Sequence, residues 1–222
     1  MNGYHYNAAE DSRSGEATAQ EEMYAIRTEH FEHTVSVEEY MEKCVDVEEF
    51  LRYCKECRNY GNVWSCPPYD FDPEDYWKKY STFRIVGVKI YLPEELLPGT
   101  YTEEEREEIF ERNLYPKKEE LNQELFALEK DYPGSVSLSG GSCRLCIGEN
   151  GEGGCDGKTG EGGCARKDGA PCRYPEQMRY SIESLGGNVG LTVTRYLHQE
   201  LQWIEEGKLP EYFMLVGGLL LP

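Results

Sequence analysis

Basic residues are scarce: 23 Lys and Arg stand against 42 Asp and Glu, a formal charge of -19. Contacts to phosphate need Lys and Arg, so the balance argues against a nucleic-acid binder and against docking on an anionic membrane. A long apolar run is missing too, so no segment reads as a bilayer span. The first 20 residues have neither a basic start nor an apolar centre, so no secretory signal is visible and a cytoplasmic protein is expected. Histidine is sparse: His5, His30, His33 and His198 all lie away from the cysteine motifs. His30 and His33, beside Glu29 and Glu32, could take a weak divalent ion, although an exposed acidic segment explains them as well. There is no glycine fingerprint of a dinucleotide fold after a strand and no phosphate-binding loop.

Cysteine, by contrast, is abundant: nine in 222 residues, none of them between residues 67 and 142. An odd count without a visible signal segment opposes an extracellular disulfide scaffold and favours metal ligation. Cys54-x2-Cys57-x8-Cys66 forms one set, and Cys143-x2-Cys146 with Cys164-x7-Cys172 forms another. Four thiolates suit a 4Fe-4S cube, one cysteine per iron, with tetrahedral zinc as the runner-up. Nearby glycines leave backbone N–H groups free to face an anionic cluster. Cys155 reads as a free cysteine in a glycine-rich insert or as a replacement for Cys164. The first set is one ligand short. Cys44 could fill that place, an acid from elsewhere could, or the position could stay open for Lewis-acid chemistry; Cys44 also reads as a buried core residue. Tyr60, Trp64 and Tyr69 either shield the first set or pack around it. Arg144, Arg166 and Arg173 bring positive charge to the second set or solvate a surface loop.

The expected fold is α+β: a small sheet with helices on one face, compatible with a ferredoxin-like α/β sandwich, carrying cysteine segments at 54–69 and 141–175. Residues 1–33 read as an acidic flexible arm and residues 34–222 as a single domain. Ser36 with Glu39 and Thr102 with Glu105 are spaced as capping boxes. Strands are expected at 83–92, 135–139, 188–194 and 212–220. Helices are expected from Ser36 towards Cys54, through Ile109 to Leu128 with a break at Pro116, from Pro175 to Leu185, and from Leu197 to Gly207. Val86, Val88, Ile90, Leu121, Leu125, Leu128, Val189, Leu191, Val193 and Leu215 should share one core.

The segments CKECRNYGNVWSCPPYDFDP, GSCRLC and CRYPEQMRYSIESLGGNV resemble a family of predicted metal-binding proteins, the domain of unknown function 2284, found in anaerobic bacteria and archaea. The resemblance covers roughly residues 36–220. It implies cysteine-ligated metal, Fe-S in character, held by Cys54, Cys57 and Cys66 in the first motif and by Cys143, Cys146, Cys164 and Cys172 in the second. The insert carrying Cys155 departs from the family's compact loop. The expected role is an iron-sulfur protein with one or two 4Fe-4S clusters in anaerobic redox metabolism, as electron carrier or accessory to a redox enzyme. The alternatives are an enzyme with an open cluster site and a zinc-stabilised interaction module. The negative surface would steer the protein towards a basic redox partner, and a homodimer is compatible with the reading. The four sulfurs of the second set are expected about 2.3 Å from one centre, and the two cysteine segments are expected to pack together.

Overall fold

Thr82–Tyr91, strand β2, is apolar on both of its faces, and that property organises the molecule. Phe83 and Ile85 point one way, while Val86, Val88 and Ile90 are buried on the other side. The computed structural model describes residues 26–146 and 163–222. Most of the expected N-terminal arm and the insert with Cys155 lie outside the described residues. The sheet is completed by β1 (Thr28–Ser36), β3 (Val136–Leu138) and β4 (Tyr212–Leu221), all antiparallel, in the order β1-β2-β4-β3. Residues 28–33, read from sequence as part of a flexible arm, pair along β2, with His33 opposite Ile85.

The helices are α1 (Val37–Cys44), α2 (Val47–Glu56), α3 (Pro73–Trp77), α4 (Glu103–Asn113), α5 (Tyr115–Leu128) and α6 (Val189–Tyr196). Their starts are written in the sequence. Ser36, Asp46, Asp72 and Asn188 each accept a backbone N–H of the first turn, and Thr102 with Glu105 forms a complete capping box. Tyr40 and Cys44 of α1, Trp77 of α3, and Val193 and Tyr196 of α6 cover the Phe83 and Ile85 face. Leu121 and Leu125 of α5 cover the face of Val86, Val88 and Ile90, and Phe110 of α4 meets Phe213 at 5.4 Å. Each fully buried aliphatic side chain is worth about 1.5–3 kcal/mol, so both layers are strongly held.

Four expectations are corrected here. Helices cover both faces of the sheet rather than one, because Phe83 and Ile85 are buried on the face opposite Val86, Val88 and Ile90. All neighbouring strands are antiparallel; β2 and β3 flank β4 and run the same way, one split βαβ crossover. But β1 lies antiparallel beside β2 and β3 beside β4, so the paired β-α-β, β-α-β order expected of a ferredoxin-like sandwich is not formed. Residues 188–194 are helical, not extended: the Asn188 cap overrides the β-branched run, and Leu191 is left 41% exposed outside the core. Two expected helices are replaced by irregular chain. Around Pro175, the Arg179 guanidinium takes the carbonyls of Glu176 and Met178, and Ser139 N–H takes that of Tyr180, leaving only a 3₁₀ turn at Glu183–Leu185. After Leu197, His198 adopts φ 52°, which no right-handed helix allows.

Among the described residues, no helix is long and apolar enough to cross a membrane.

Candidate metal centre

Helix α2 delivers the first cysteine set. Cys54 sits in its last turn, and Cys57 caps it by donating its N–H to Cys54 O at 3.0 Å. The chain then reverses at Gly61, where φ is 70° and the N–H donates to Pro67 O at 2.8 Å. Cys66 returns through a turn to Val63 O. Burial pushes the Cys54 thiol up, and the neighbouring Cys57 and the Glu183 carboxylate add to this. Burial raises Cys66 to about 11; Cys57 and Cys54 act in the same direction, and Ser65 and Arg166 oppose them. The three sulfurs thus lie in one electrostatic neighbourhood.

The second set follows β3. Gly140 N–H is held by Asn122 Oδ1 at 2.9 Å, and Gly141 turns the chain with φ 83°. Cys143, Cys146, Cys164 and Cys172 all line one cavity of about 380 Å³. Burial raises the Cys143 thiol, with Cys172 and Cys164 adding to the effect. Cys143, Cys164 and Cys172 are free thiols, whereas Cys146 is disulfide-bonded and can act as a thiolate only once reduced. Cys155 lies outside the described residues.

The two segments interlock, as expected. Trp64 N–H faces Cys164 Sγ at 3.4 Å, and its indole N–H donates to Ala170 O at 3.0 Å. Cys143 N–H donates to Ser65 Oγ at 3.0 Å. Arg166 donates to the carbonyls of Val63, Cys66 and Pro68 and lies over the Trp64 ring. Its charge therefore fastens one cysteine segment to the other. Arg144 is paired with Glu111 at 2.8 Å and stacked on Tyr115. Tyr69 stacks on Phe71 and, with Tyr60, lines a smaller cavity of about 170 Å³ next to Cys54.

Lys118 of α5 sits at this junction, only 8% exposed, and donates to Ser142 O at 2.7 Å. Burial lowers its amine to about 8, helped by Arg144 and opposed by Glu183, Cys143 and Cys66. It therefore senses one thiol from each set. Neither Lys118 nor Glu183 stands out in the sequence, since a charged residue in a helical run reads as a solvated face.

Other candidates fall away. Cys44 is 2% exposed in the core with Tyr40 and Tyr196, and neither Cys54 nor Cys66 bears on its thiol. His30 lies opposite Val88 and His33 opposite Ile85. They project from opposite faces of β1 and cannot share an ion. Among the described residues, no group of three or more His, Cys, Asp or Glu side chains closes on a point that would hold a metal ion. The expected convergence of Cys143, Cys146, Cys164 and Cys172 at bond length is therefore not met, although they share a cavity.

The family described as predicted metal-binding protein (DUF2284) matches residues 40–221, a span that includes both cysteine segments. The chain belongs to the DUF2284 family. No curated protein and no solved structure matches it.

Proposed function

We propose that this DUF2284 protein carries iron-sulfur clusters at its two cysteine sets and handles single electrons for a redox enzyme or partner. The observation that carries the reading is Lys118. A buried ammonium is costly without a counter-charge, and among the described residues Lys118 forms no ion pair. Instead it lies where Glu183, Cys143 and Cys66 all bear on it, one thiol coming from each cysteine set. Cys54, Cys57 and Cys66 would hold one cluster. Cys143, Cys146, Cys164 and Cys172 would hold the other, with Cys146 reduced. Lys118 supplies positive charge between them.

The donor chemistry fits such a group. All these candidates are soft sulfur donors, and Trp64 N–H is directed at one of the sulfurs. A single zinc ion needs four donors about 2 Å from one point, and the described residues do not close in that way. A cube carries its ligands on four separate irons and accepts a wider spread. When bound, such a cluster takes up and releases one electron at a time. The chain's part is to hold the thiolates, seat them in a shared junction and offset their charge with Lys118. The formal charge of -19 would draw the protein towards a basic partner.

Protein purified and reconstituted without oxygen should hold about four irons and four sulfides per occupied set. Its reduced form should give a paramagnetic resonance signal that bleaches in air. Stoichiometric zinc with no iron in the same preparation would sink the proposal. A second reading, an iron left open to a small molecule, is favoured by the cavity of about 170 Å³ beside Cys54. It depends on what occupies the fourth position of the three-cysteine set.

A further inference from the structure

We infer that Glu183 supplies the fourth donor to the centre formed by Cys54, Cys57 and Cys66, through its carboxylate oxygen Oε2; the inference rests on the iron-sulfur reading above. The set has three cysteines in its segment, and Cys44 is committed to the core. Glu183 Oε2 is sealed from solvent and has no hydrogen-bond partner among the described residues. A buried carboxyl oxygen left unpaired is unfavourable unless something binds it. Glu183 lines the same cavity as Cys54 and lies within electrostatic reach of both the Cys54 thiol and Lys118.

The surrounding chain holds this carboxylate in place. Glu183 opens the 3₁₀ turn that Gly186 closes with φ 84°. Gly186 is pressed against Val47, so closely that a Cβ would come within 2.7 Å of Val47 Cγ2. Val47 is the first residue of α2, the helix whose far end carries Cys54. Trp77 Nε1 donates to Leu185 O at 2.9 Å, and Asp46 N–H donates to Gly186 O at 2.9 Å. Ser181 N–H donates to Ser184 Oγ and Ser184 N–H to Ser181 Oγ, while the Ser181 hydroxyl bears on the Glu183 carboxyl and helps to fix it. The turn is thus docked on the cysteine-bearing helix and presents one oxygen, Oε2, that no hydrogen bond among the described residues takes up. An oxygen ligand among three thiolates binds more weakly than a fourth thiolate, so a strong exogenous ligand could displace it.

The test uses the full chain, reconstituted anaerobically with iron and sulfide, as wild type, E183Q and E183C. Each is reduced and titrated with 2-mercaptoethanol while its paramagnetic resonance spectrum and iron content are recorded. E183Q is expected to change spectrum at a thiol concentration at least tenfold below that needed by wild type. E183C, with a thiolate of its own, should keep its iron and resist the added thiol. Equal midpoints for wild type and E183Q, or an E183C protein as responsive as E183Q, would overturn the assignment. A wild-type preparation without iron and sulfide would instead remove the iron-sulfur reading, and this inference with it. The C172S variant identifies the part of the spectrum that belongs to the second set.

Discussion

The backbone N–H of Trp64 faces the sulfur of Cys164 at 3.4 Å across 100 residues of sequence. A residue of the first cysteine segment thus touches a ligand candidate of the second directly, the kind of contact that orients a ligand. Sequence separation therefore says little about functional separation here. The two sets are built into one junction, with Arg166, Ser65 and Lys118 completing the contact.

Arg166 should be the most sensitive element of that junction. Replacing it with Met removes its bonds to three carbonyls of the first segment. The expected cost is on the order of 2–3 kcal/mol, read from urea unfolding. Arg166→Lys should recover less than half of this, because an ammonium cannot fork to several carbonyls from one plane. Full recovery by Lys would show that charge alone matters.

Cys44 and Cys66 should separate core from ligand. Cys44→Ala should cost about 1 kcal/mol through lost packing and leave iron content unchanged. Cys66→Ala should lose about half of the bound iron. Elemental analysis of the two variants side by side decides it, and iron loss from Cys44→Ala would place that thiol in the metal shell after all.

Much of this arrangement could be read from the chain before folding, and what could not has a physical cause. β2 and β4 are visible as apolar runs, and the α4 cap is visible in Thr102 and Glu105. The α6 segment misleads because β-branched residues suggest a strand, yet Asn188 accepts Leu191 N–H and starts a helix. The apolar spacing from Leu197 to Ile204 imitates a helix but is spent elsewhere. Leu197 packs on Gly87, where a Cβ would come within 2.4 Å of its side chain. The cysteine pairs announce themselves by spacing. Lys118 and Glu183 do not, because their burial arises only when α5 and the 3₁₀ turn meet the cysteine segments in space.

Glu129 and Arg179 should make stability depend on acid. Their side chains are 15% and 17% exposed and pair at 2.6 Å, and Ser137 N–H also donates to the carboxylate. Burial alone would raise the Glu129 carboxyl, but Arg179 and Ser137 together hold it below its ordinary range. A carboxyl with a depressed folded-state pKa binds protons more weakly in the folded chain than in the unfolded one. Its contribution is present in full above the unfolded carboxylate range near pH 4–5 and fades as pH falls through the depressed value. Glu129→Gln should cost about 2 kcal/mol at pH 7 and show a shallower loss of stability between pH 5 and 3. Parallel pH–stability curves for the two proteins would contradict this.

Lys118 should set the potentials of both centres at once. Adding an electron to an anionic cluster is easier beside a positive charge, so removing the ammonium makes reduction harder. Lys118→Met keeps the length of the side chain and removes only the charge and its bond to Ser142 O. Cys143 and Cys66 both contribute to the surroundings of the amine, so the loss should be felt on both sides. A Coulomb interaction of about 1–2 kcal/mol at an effective dielectric near 20 corresponds to a fall on the order of 50 mV in each reduction potential. Lys118→Arg should lie closer to wild type, since it retains the charge. Potentiometric titration followed by paramagnetic resonance resolves the two signals. A shift confined to one of them would assign Lys118 to a single centre, and unchanged potentials in Lys118→Met would deny the ammonium any role as a shared counter-charge.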